Sequence, residues 1–273
     1  MFPIAVQLYS VRDDAHADFR KTLEQVKAMG YDGVEFAGRL AEYGFTPEEI
    51  RDMCKEIGLV PISAHVPYAA MAADPEGVLA DYVTVGCKFV GVPASPPDER
   101  PGAENFYASF KKIENIGRVA KSLGLQLLYH NHDFEFTKID GEYGLDILYS
   151  NISAEYLQTE LDVCWVTVGG EDPVKYIKKY TDRAPIVHLK DFWGEKSDNM
   201  YEIIGEEGKA PERPKNFEFR PNGKGVVNFP PILEAAREAG TAWVVVEQDQ
   251  PSMGLTPMES IKTSIDYLKT INK

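Results

Sequence analysis

The sequence predicts an α/β protein with a single-domain (β/α)8 barrel, and two observations support this fold. Five times along the chain, an amphipathic helical segment is followed by a glycine and then by a short apolar run, the order expected of a helix C-cap that leads into a buried parallel strand. Three further apolar runs bring the predicted strands to eight in 273 residues. An open doubly wound sheet usually has five or six strands, so the barrel is the better prediction.

The predicted strands are short apolar runs spread over the whole chain. They are IAVQL at 4–8, YDGVEF at 31–36, LVPISAH at 59–65, CKFVGVP at 87–93, LQLLYH at 125–130, YLQTEL at 156–161, PIVHL at 185–189 and TAWVVVE at 241–247. No GxGxxG motif follows the first run and no GxxxxGK[ST] motif occurs, so the sequence gives no support for dinucleotide or nucleoside triphosphate binding.

The predicted helices fill the segments between these strands. They lie near residues 15–29, 47–57, 75–85, 103–123, 143–150, 172–180, 229–239 and 257–271. The second has a clear start, because Thr46 is a favoured cap residue and is followed by Pro47, Glu48 and Glu49. A proline in the first turn and acidic side chains at the positive end of the helix dipole both favour helix initiation.

One connection, residues 191–228, is too long to be a simple link between the seventh strand and its helix. Long loops at the C-terminal face of a barrel tend to cover the active site. We therefore predict an active-site loop here, within one domain that covers residues 1–273. A flexible insertion or a contact between subunits of a homo-oligomer is the alternative for its central part.

Composition and charge exclude several classes of protein. The chain has 43 acidic and 29 basic residues and a formal net charge of −14, which would repel the phosphate backbone of a nucleic acid. It has no run of about eighteen apolar residues and no leader-like start, so we predict a cytoplasmic protein with no membrane partner. The three widely spaced cysteines are expected to be free thiols of a reducing compartment.

Polar side chains gather where the predicted strands end, and the densest group is LLYHNHDFEF at 127–136. Buried polar groups must be paired, and barrel geometry brings the strand ends together. Several carboxylates and an imidazole in one partly buried place repel one another unless a cation lies among them. The sequence therefore predicts a site for Mn²⁺, Mg²⁺, Co²⁺ or Zn²⁺ with open positions for substrate oxygens.

The four motifs LLYHNHDFEF, TELDVCWV, IVHLKDF and VVVEQDQ resemble the fifth to eighth strand motifs of the xylose isomerase-like TIM barrel superfamily, the sugar phosphate isomerase/epimerase group. That group includes ketose 3-epimerases and inosose dehydratase and, more distantly, endonuclease IV. The resemblance covers nearly the whole chain in order. It implies one divalent metal, with Mn²⁺ as the first choice, and a small carbohydrate substrate.

The resemblance also implies the metal ligands, which in the family are Glu, Asp, His and Glu at the ends of strands five to eight. Asp162, His188 and Glu247 match the last three. For the first we predict Glu135, with Glu142 as the alternative.

Further roles are predicted around these ligands. Glu135, His132, Lys190 and Glu247 are the expected catalytic residues, and the first three are the candidates for the base that removes a proton. The expected substrate-binding residues are Glu35, His65, His130, Trp165 and Trp193. For His130 and His132 three alternative roles stay open: either could be a metal ligand, bind a sugar hydroxyl or act as the base.

The predicted function is that of a metal-dependent isomerase or epimerase, which removes the proton next to a metal-bound carbonyl and forms an enediolate. The alternative is a lyase with the same site, such as an inosose dehydratase or an enzyme that eliminates from a 3-keto-glycoside. A DNA-repair endonuclease is disfavoured by the net charge of −14 and by Trp165, which stands where that enzyme has a histidine. A non-catalytic sugar-binding barrel is a further alternative.

Overall fold

The computed structural model describes residues 1–196 and 216–273, and within these ranges eight parallel strands close a barrel. Each strand pairs with its neighbours in the chain, and the last pairs with the first through Val6 and Val246. The strands are β1 Ile4–Gln7, β2 Gly33–Ala37, β3 Val60–His65, β4 Phe89–Val92, β5 Gln126–His130, β6 Gln158–Asp162, β7 Ile186–Leu189 and β8 Trp243–Val246. The predicted (β/α)8 barrel is confirmed.

The helices surround the barrel, and most lie where the sequence predicts them. They are α1 Arg12–Ala17, α2 Phe19–Met29, α3 Pro47–Ile57, α4 Tyr68–Ala73, α5 Pro75–Val85, α6 Phe106–Ser122, α7 Gly144–Asn151, α8 Val163–Val168, α9 Pro173–Lys179, α10 Phe229–Glu238 and α11 Pro257–Ile271. The Thr46 cap is observed: its side chain accepts from the backbone N–H of Glu49, whose carboxylate accepts from the N–H of Thr46.

Two differences from the predicted helices have local causes. The first helix is divided at Asp18, whose extended backbone ends α1 and whose side chain accepts a hydrogen bond from Lys21 N at the start of α2. Two short helices, α4 and α8, follow β3 and β6 directly and were not predicted. Asp162 begins α8 by accepting a hydrogen bond from Trp165 N, so one residue both ends a strand and caps a helix.

The barrel interior is divided into an apolar floor and a polar upper layer. The floor is a separate cluster formed by buried side chains from five strands: Ala5, Ile62, Leu128, Ile186 and Val245. Side chains two residues apart in a strand point to the same side. In four of these strands the residue two positions further on therefore lies one layer nearer the C-terminal end of the barrel. These residues are Gln7, His130, His188 and Glu247.

The long connection after β7 begins and ends as an antiparallel hairpin, Asp191–Gly194 paired with Phe217–Arg220. The central part of the predicted active-site loop, residues 197–215, lies outside the described residues. The Asp191 carboxylate holds the returning chain, because it accepts hydrogen bonds from the backbone N–H groups of Phe192, Gly223, Gly225 and Val227 at 2.9–3.0 Å.

A second, shorter hairpin pairs Lys138–Ile139 with Glu142–Tyr143, between β5 and α7.

Across residues 1–196 and 216–273, no helix is both long and apolar enough to cross a membrane. The cytoplasmic location and the homo-oligomer stay predictions from the sequence.

Candidate active site with a metal-ligating cluster

A cavity of about 470 Å³ opens at the C-terminal end of the barrel. One part of its wall is apolar and the other carries titratable groups. Its lining residues are Tyr9, Ala37, Gly38, His65, Pro67, Pro93, Ala94, His130, His132, Lys190, Glu247 and Asp249. Convergence of many titratable side chains in one cleft is typical of a functional site.

Four buried side chains at this end of the barrel form what we call the ligand cluster: His130, Asp162, His188 and Glu247. One ligand atom from each lies within 4.8 Å of the others. Glu247 Oε2 is the central atom, 3.1 Å from His188 Nδ1 and 3.5 Å from His130 Nε2. His130 Nε2 is also 3.4 Å from Asp162 Oδ2.

The ligand cluster fits a divalent cation. Both ring nitrogens of His130 and Oδ2 of Asp162 are buried and have no hydrogen-bond partner in the described part of the chain. Buried polar atoms without partners are costly, and imidazole nitrogens and carboxylate oxygens are ligands that divalent transition metals accept. Burial opposes the charged form of His188, yet Glu35 and Glu160 outweigh it and hold its pKa well above the ordinary value. The carboxylates around His188 thus favour positive charge on this ring.

The cluster contains His130 where the sequence predicted Glu135. Glu135 is buried in the short turn after β5, where its carboxylate accepts hydrogen bonds from the Tyr129 hydroxyl at 2.6 Å and from His132 N at 2.8 Å. Burial raises the pKa of Glu135 to about 7. The alternative ligand, Glu142, is exposed on the short hairpin. Among the described residues, neither carboxylate belongs to a group that could hold a metal ion.

A second layer of buried polar residues lies behind the cluster. Glu35 is fully buried, accepts a hydrogen bond from Gln7 Nε2 at 2.9 Å and another from the Ser63 hydroxyl, and does not line the cavity. His65 does line the cavity, and its Nε2 is 2.8 Å from Glu160 Oε2. His65 thus lines the cavity and Glu35 does not, and their contacts with substrate stay predictions.

Lys190 is buried and enclosed by acidic and aromatic groups. Its ammonium is 2.8 Å from Asp249 Oδ1 and 3.1 Å from Glu247 Oε2. It also lies 5.4 Å from the ring centre of Trp165, an arrangement that favours a cation. Burial alone would favour the neutral amine, but Asp249 and Glu247 outweigh it, so the pKa of Lys190 is held well above its ordinary value.

His132 lines the same cavity and differs from the other histidines. Its ring stacks on Phe134 at 5.3 Å and contacts Trp165, also at 5.3 Å between ring centres. Burial, with the nearby charges of His130 and Lys190, lowers the pKa of His132 well below the ordinary value. This imidazole is therefore neutral at physiological pH.

The two tryptophans predicted to bind substrate occupy different environments. Trp165 is fully buried and packs against His132 and against Phe217 and Phe219 of the long hairpin. Trp193 is 53% exposed on the other face of that hairpin, near Arg220. Neither lines the described cavity, so their substrate contacts stay predictions.

Two buried residues of the site were not among the site residues predicted from the sequence. Glu160 lies on the interior face of β6, two residues before Asp162, and Asp249 pairs with Lys190. The period of two in a strand was the available signal for Glu160, because it places both acids on one side. For Asp249, which follows the end of β8, we see no comparable signal.

The fold and the ligand cluster together define the class, a (β/α)8 barrel whose C-terminal end can hold a divalent cation. The chain belongs to the Xylose isomerase-like TIM barrel family, whose sequence profile matches residues 23–271. The resemblance drawn from the four strand-end motifs is confirmed.

Among curated proteins, the inosose dehydratase of Lacticaseibacillus casei is 27% identical over 162 residues, which are 57% of this chain and 51% of that protein. The match thus spans about half the length of this relative. A sugar phosphate isomerase/epimerase from Parabacteroides distasonis ATCC 8503 has a similar structure, with a TM-score of 0.78, 22% identity and coverage of 97% of this chain and 93% of that one. The IolI protein with a bound zinc atom gives a TM-score of 0.72 at 13% identity, covering 99% and 98%.

Proposed function

We propose that this protein is a divalent-metal-dependent enzyme that removes the proton next to a carbonyl group of a sugar, keto-sugar or related polyol, and thereby acts as an isomerase or epimerase. The observation that carries the proposal is the position of the ligand cluster, two of whose members, His130 and Glu247, line one cavity with the imidazole of His132 and the ammonium of Lys190. The family membership and the named relatives support carbohydrate chemistry.

The ligand cluster would hold the metal through two imidazoles and two carboxylates. We propose Mn²⁺, with Zn²⁺ and Co²⁺ as the main competitors because both bind imidazole well, and Mg²⁺ as a weaker one because it prefers oxygen ligands. When bound, the metal supplies a Lewis acid that polarises a substrate carbonyl and so makes the adjacent carbon-bound proton more acidic.

His132 is the proposed base. A neutral imidazole can accept a proton, and burial keeps His132 neutral. Glu135 is the proposed positioning residue for it, because its carboxylate binds the backbone N–H of His132 and the hydroxyl of Tyr129 and thereby fixes the turn that carries the imidazole. In this proposal Glu135 is neither ligand nor base.

Lys190 is proposed to act as a cation. Its raised pKa favours the protonated side chain, which argues against a role as the base at neutral pH. The ammonium lines the cavity beside Glu247, where it can donate a hydrogen bond to a substrate oxygen that gains negative charge as the proton leaves.

A dehydratase is the second candidate, and the curated inosose dehydratase relatives favour it. The first half of the reaction is the same proton removal. In the second half the C–O bond at the β carbon breaks, a C=C bond forms, and the departing hydroxyl takes a proton and leaves as water. The Lys190 ammonium is the proposed donor of that proton.

Product analysis separates the two candidates. The metal-loaded protein is incubated in deuterated water with a panel of keto-sugars and inososes, and the products are examined by mass spectrometry and NMR. An epimerase or isomerase incorporates deuterium without loss of mass as water, whereas a dehydratase releases water. His132→Gln should retain the metal and lose about 10²–10⁴-fold in turnover. Metal-loaded wild type that exchanges no proton and forms no product with any of these compounds refutes the proposed function.

A further inference from the structure

His188 has a different environment at each ring nitrogen. On the side of the ligand cluster, Nδ1 makes a hydrogen bond of 3.1 Å with Glu247 Oε2. On the opposite side, Nε2 lies 2.8 Å from Glu35 Oε2 and 3.4 Å from Glu160 Oε1. The contacts of Nε2 with Glu35 and Glu160 are electrostatic, since Nε2 makes no hydrogen bond of good geometry in the described part of the chain.

Glu35 is fixed in this position by the barrel itself. It is fully buried on β2, and its two oxygens accept hydrogen bonds from Gln7 on β1 and Ser63 on β3. A carboxylate held by both neighbouring strands cannot turn toward the cavity without losing these partners. Its contact with His188 is therefore built into the strand pairing.

Glu160 is held in a similar way from the other side. Its Oε2 is bound by His65 Nε2 at 2.8 Å, and the ring of His65 stacks on that of His188 at 5.3 Å with an angle of 7°. Gly91 leaves the necessary room, since a Cβ atom at that position would lie 2.8 Å from Glu160 Oε2. Glu160 thus has space only because residue 91 lacks a side chain.

The contacts at Nε2 favour keeping a hydrogen on that nitrogen. A lone pair on Nε2 would face two carboxylates and be repelled, whereas an N–H there is attracted to both. Nδ1 carries hydrogen as well in the metal-free protein, because it is hydrogen-bonded to Glu247 Oε2. A metal held by the ligand cluster would take the place of the hydrogen on Nδ1, while the hydrogen on Nε2 stays between Glu35 and Glu160. Metal-ligating histidines commonly have such a carboxylate at the second nitrogen, which fixes the tautomer and the ring orientation.

We propose that Glu35 and Glu160 are positioning residues that make His188 a metal ligand through Nδ1. Glu35 has the larger effect because it is closer to Nε2. The inference rests on the proposed function, since it assumes that the ligand cluster binds the metal. It assigns Glu35 a role without substrate contact.

The test measures metal binding by the purified, metal-stripped chain. Dissociation constants for Mn²⁺ and Co²⁺ are determined by competition with a chromophoric chelator, for wild type, Glu35→Gln, Glu160→Gln and Ser63→Ala. We expect Glu35→Gln to bind about 10–100-fold more weakly, the usual cost of losing such a partner. The losses for Glu160→Gln and Ser63→Ala should be smaller. Glu142→Gln, an exposed control, should match wild type.

The visible spectrum of the Co²⁺-loaded protein supplies a second readout, because its bands report the ligand geometry. Glu35→Gln should shift these bands, while thermal unfolding of the metal-free variants shows that each is folded. Wild-type affinity and spectrum in both glutamate variants would overturn the inference and leave the proposed function standing. A second result would also overturn it: two metals per chain in wild type and one in Glu35→Gln. The side chains of Glu35, His65, Glu160 and His188 would then form a second cation site. No metal binding by wild type refutes the proposed function itself.

Discussion

Replacement of His130 by alanine tests which residue is the fourth ligand of the proposed metal site. The structure places His130 Nε2 3.4 Å from Asp162 Oδ2 and 3.5 Å from Glu247 Oε2, whereas the Glu135 carboxylate is occupied by Tyr129 and His132 N. Supporting partners of a ligand are worth about 10–100-fold in affinity, so loss of the ligand itself should cost at least the upper value. We therefore expect the dissociation constant to rise about 100-fold, which corresponds to a loss of about 2.8 kcal/mol in binding free energy.

The assay is isothermal titration of metal-stripped protein with Mn²⁺, with metal content after dialysis as a check. Glu135→Gln is the matched control, because it changes a buried side chain of the same segment without removing a donor of the ligand cluster. It should bind Mn²⁺ with nearly the wild-type affinity. Thermal unfolding of both metal-free variants establishes that they are folded.

The opposite pattern refutes this reasoning. If His130→Ala binds Mn²⁺ like wild type and Glu135→Gln loses it, the ligand from this segment is Glu135, and the turn after β5 must rearrange when metal binds. If both variants bind normally, His130 is not a ligand and the cluster is completed by another group.

Three further predictions concern stability and pH. Lys190→Met should destabilise the metal-free protein by about 3–5 kcal/mol, because it leaves the buried Glu247 and Asp249 carboxylates without their cation; urea unfolding measures this, and an unchanged midpoint contradicts it. Asp191→Ala should cost about 3 kcal/mol in the same assay, since four backbone N–H groups lose their acceptor, and equal stability would show that water replaces it. The third prediction is a pH dependence: the pKa of Glu135 is about 7 in the folded chain and near 4.5 when unfolded, so the folded state binds more protons between these values and stability falls as pH rises from about 4.5 to 7. The loss approaches about 3 kcal/mol by pH 7 relative to Glu135→Gln, in which this part of the slope should be missing; identical pH profiles would contradict the raised pKa.

Sequence periodicity was enough to predict the barrel. All eight apolar runs are strands of the closed sheet, and helices α3, α5 and α11 have the predicted bounds. The reason is that these features are local: a helix cap at Thr46 or a glycine before a strand acts within a few residues. The same pattern placed the polar strand ends together at one face, where the cavity lies.

The sequence could not decide which of two neighbouring residues belongs to the ligand cluster. His130 and Glu135 belong to one short segment rich in titratable groups, and which of them joins the ligand cluster depends on the turn after β5, which directs Glu135 toward Tyr129. Trp193 illustrates the same limit, because its position on the outer face of a hairpin follows from the pairing with residues 217–220.

The fold, the family and the end of the barrel at which the cavity lies could all be predicted from the sequence alone, because periodicity and strand-end motifs are properties of contiguous residues. Only the tertiary structure decided that Glu35 lies behind His188 and that Glu160 approaches it from the other side. These contacts join strands that are far apart in the chain. Their distances depend on how the closed barrel sets the register of each strand against its neighbours, which no single segment encodes.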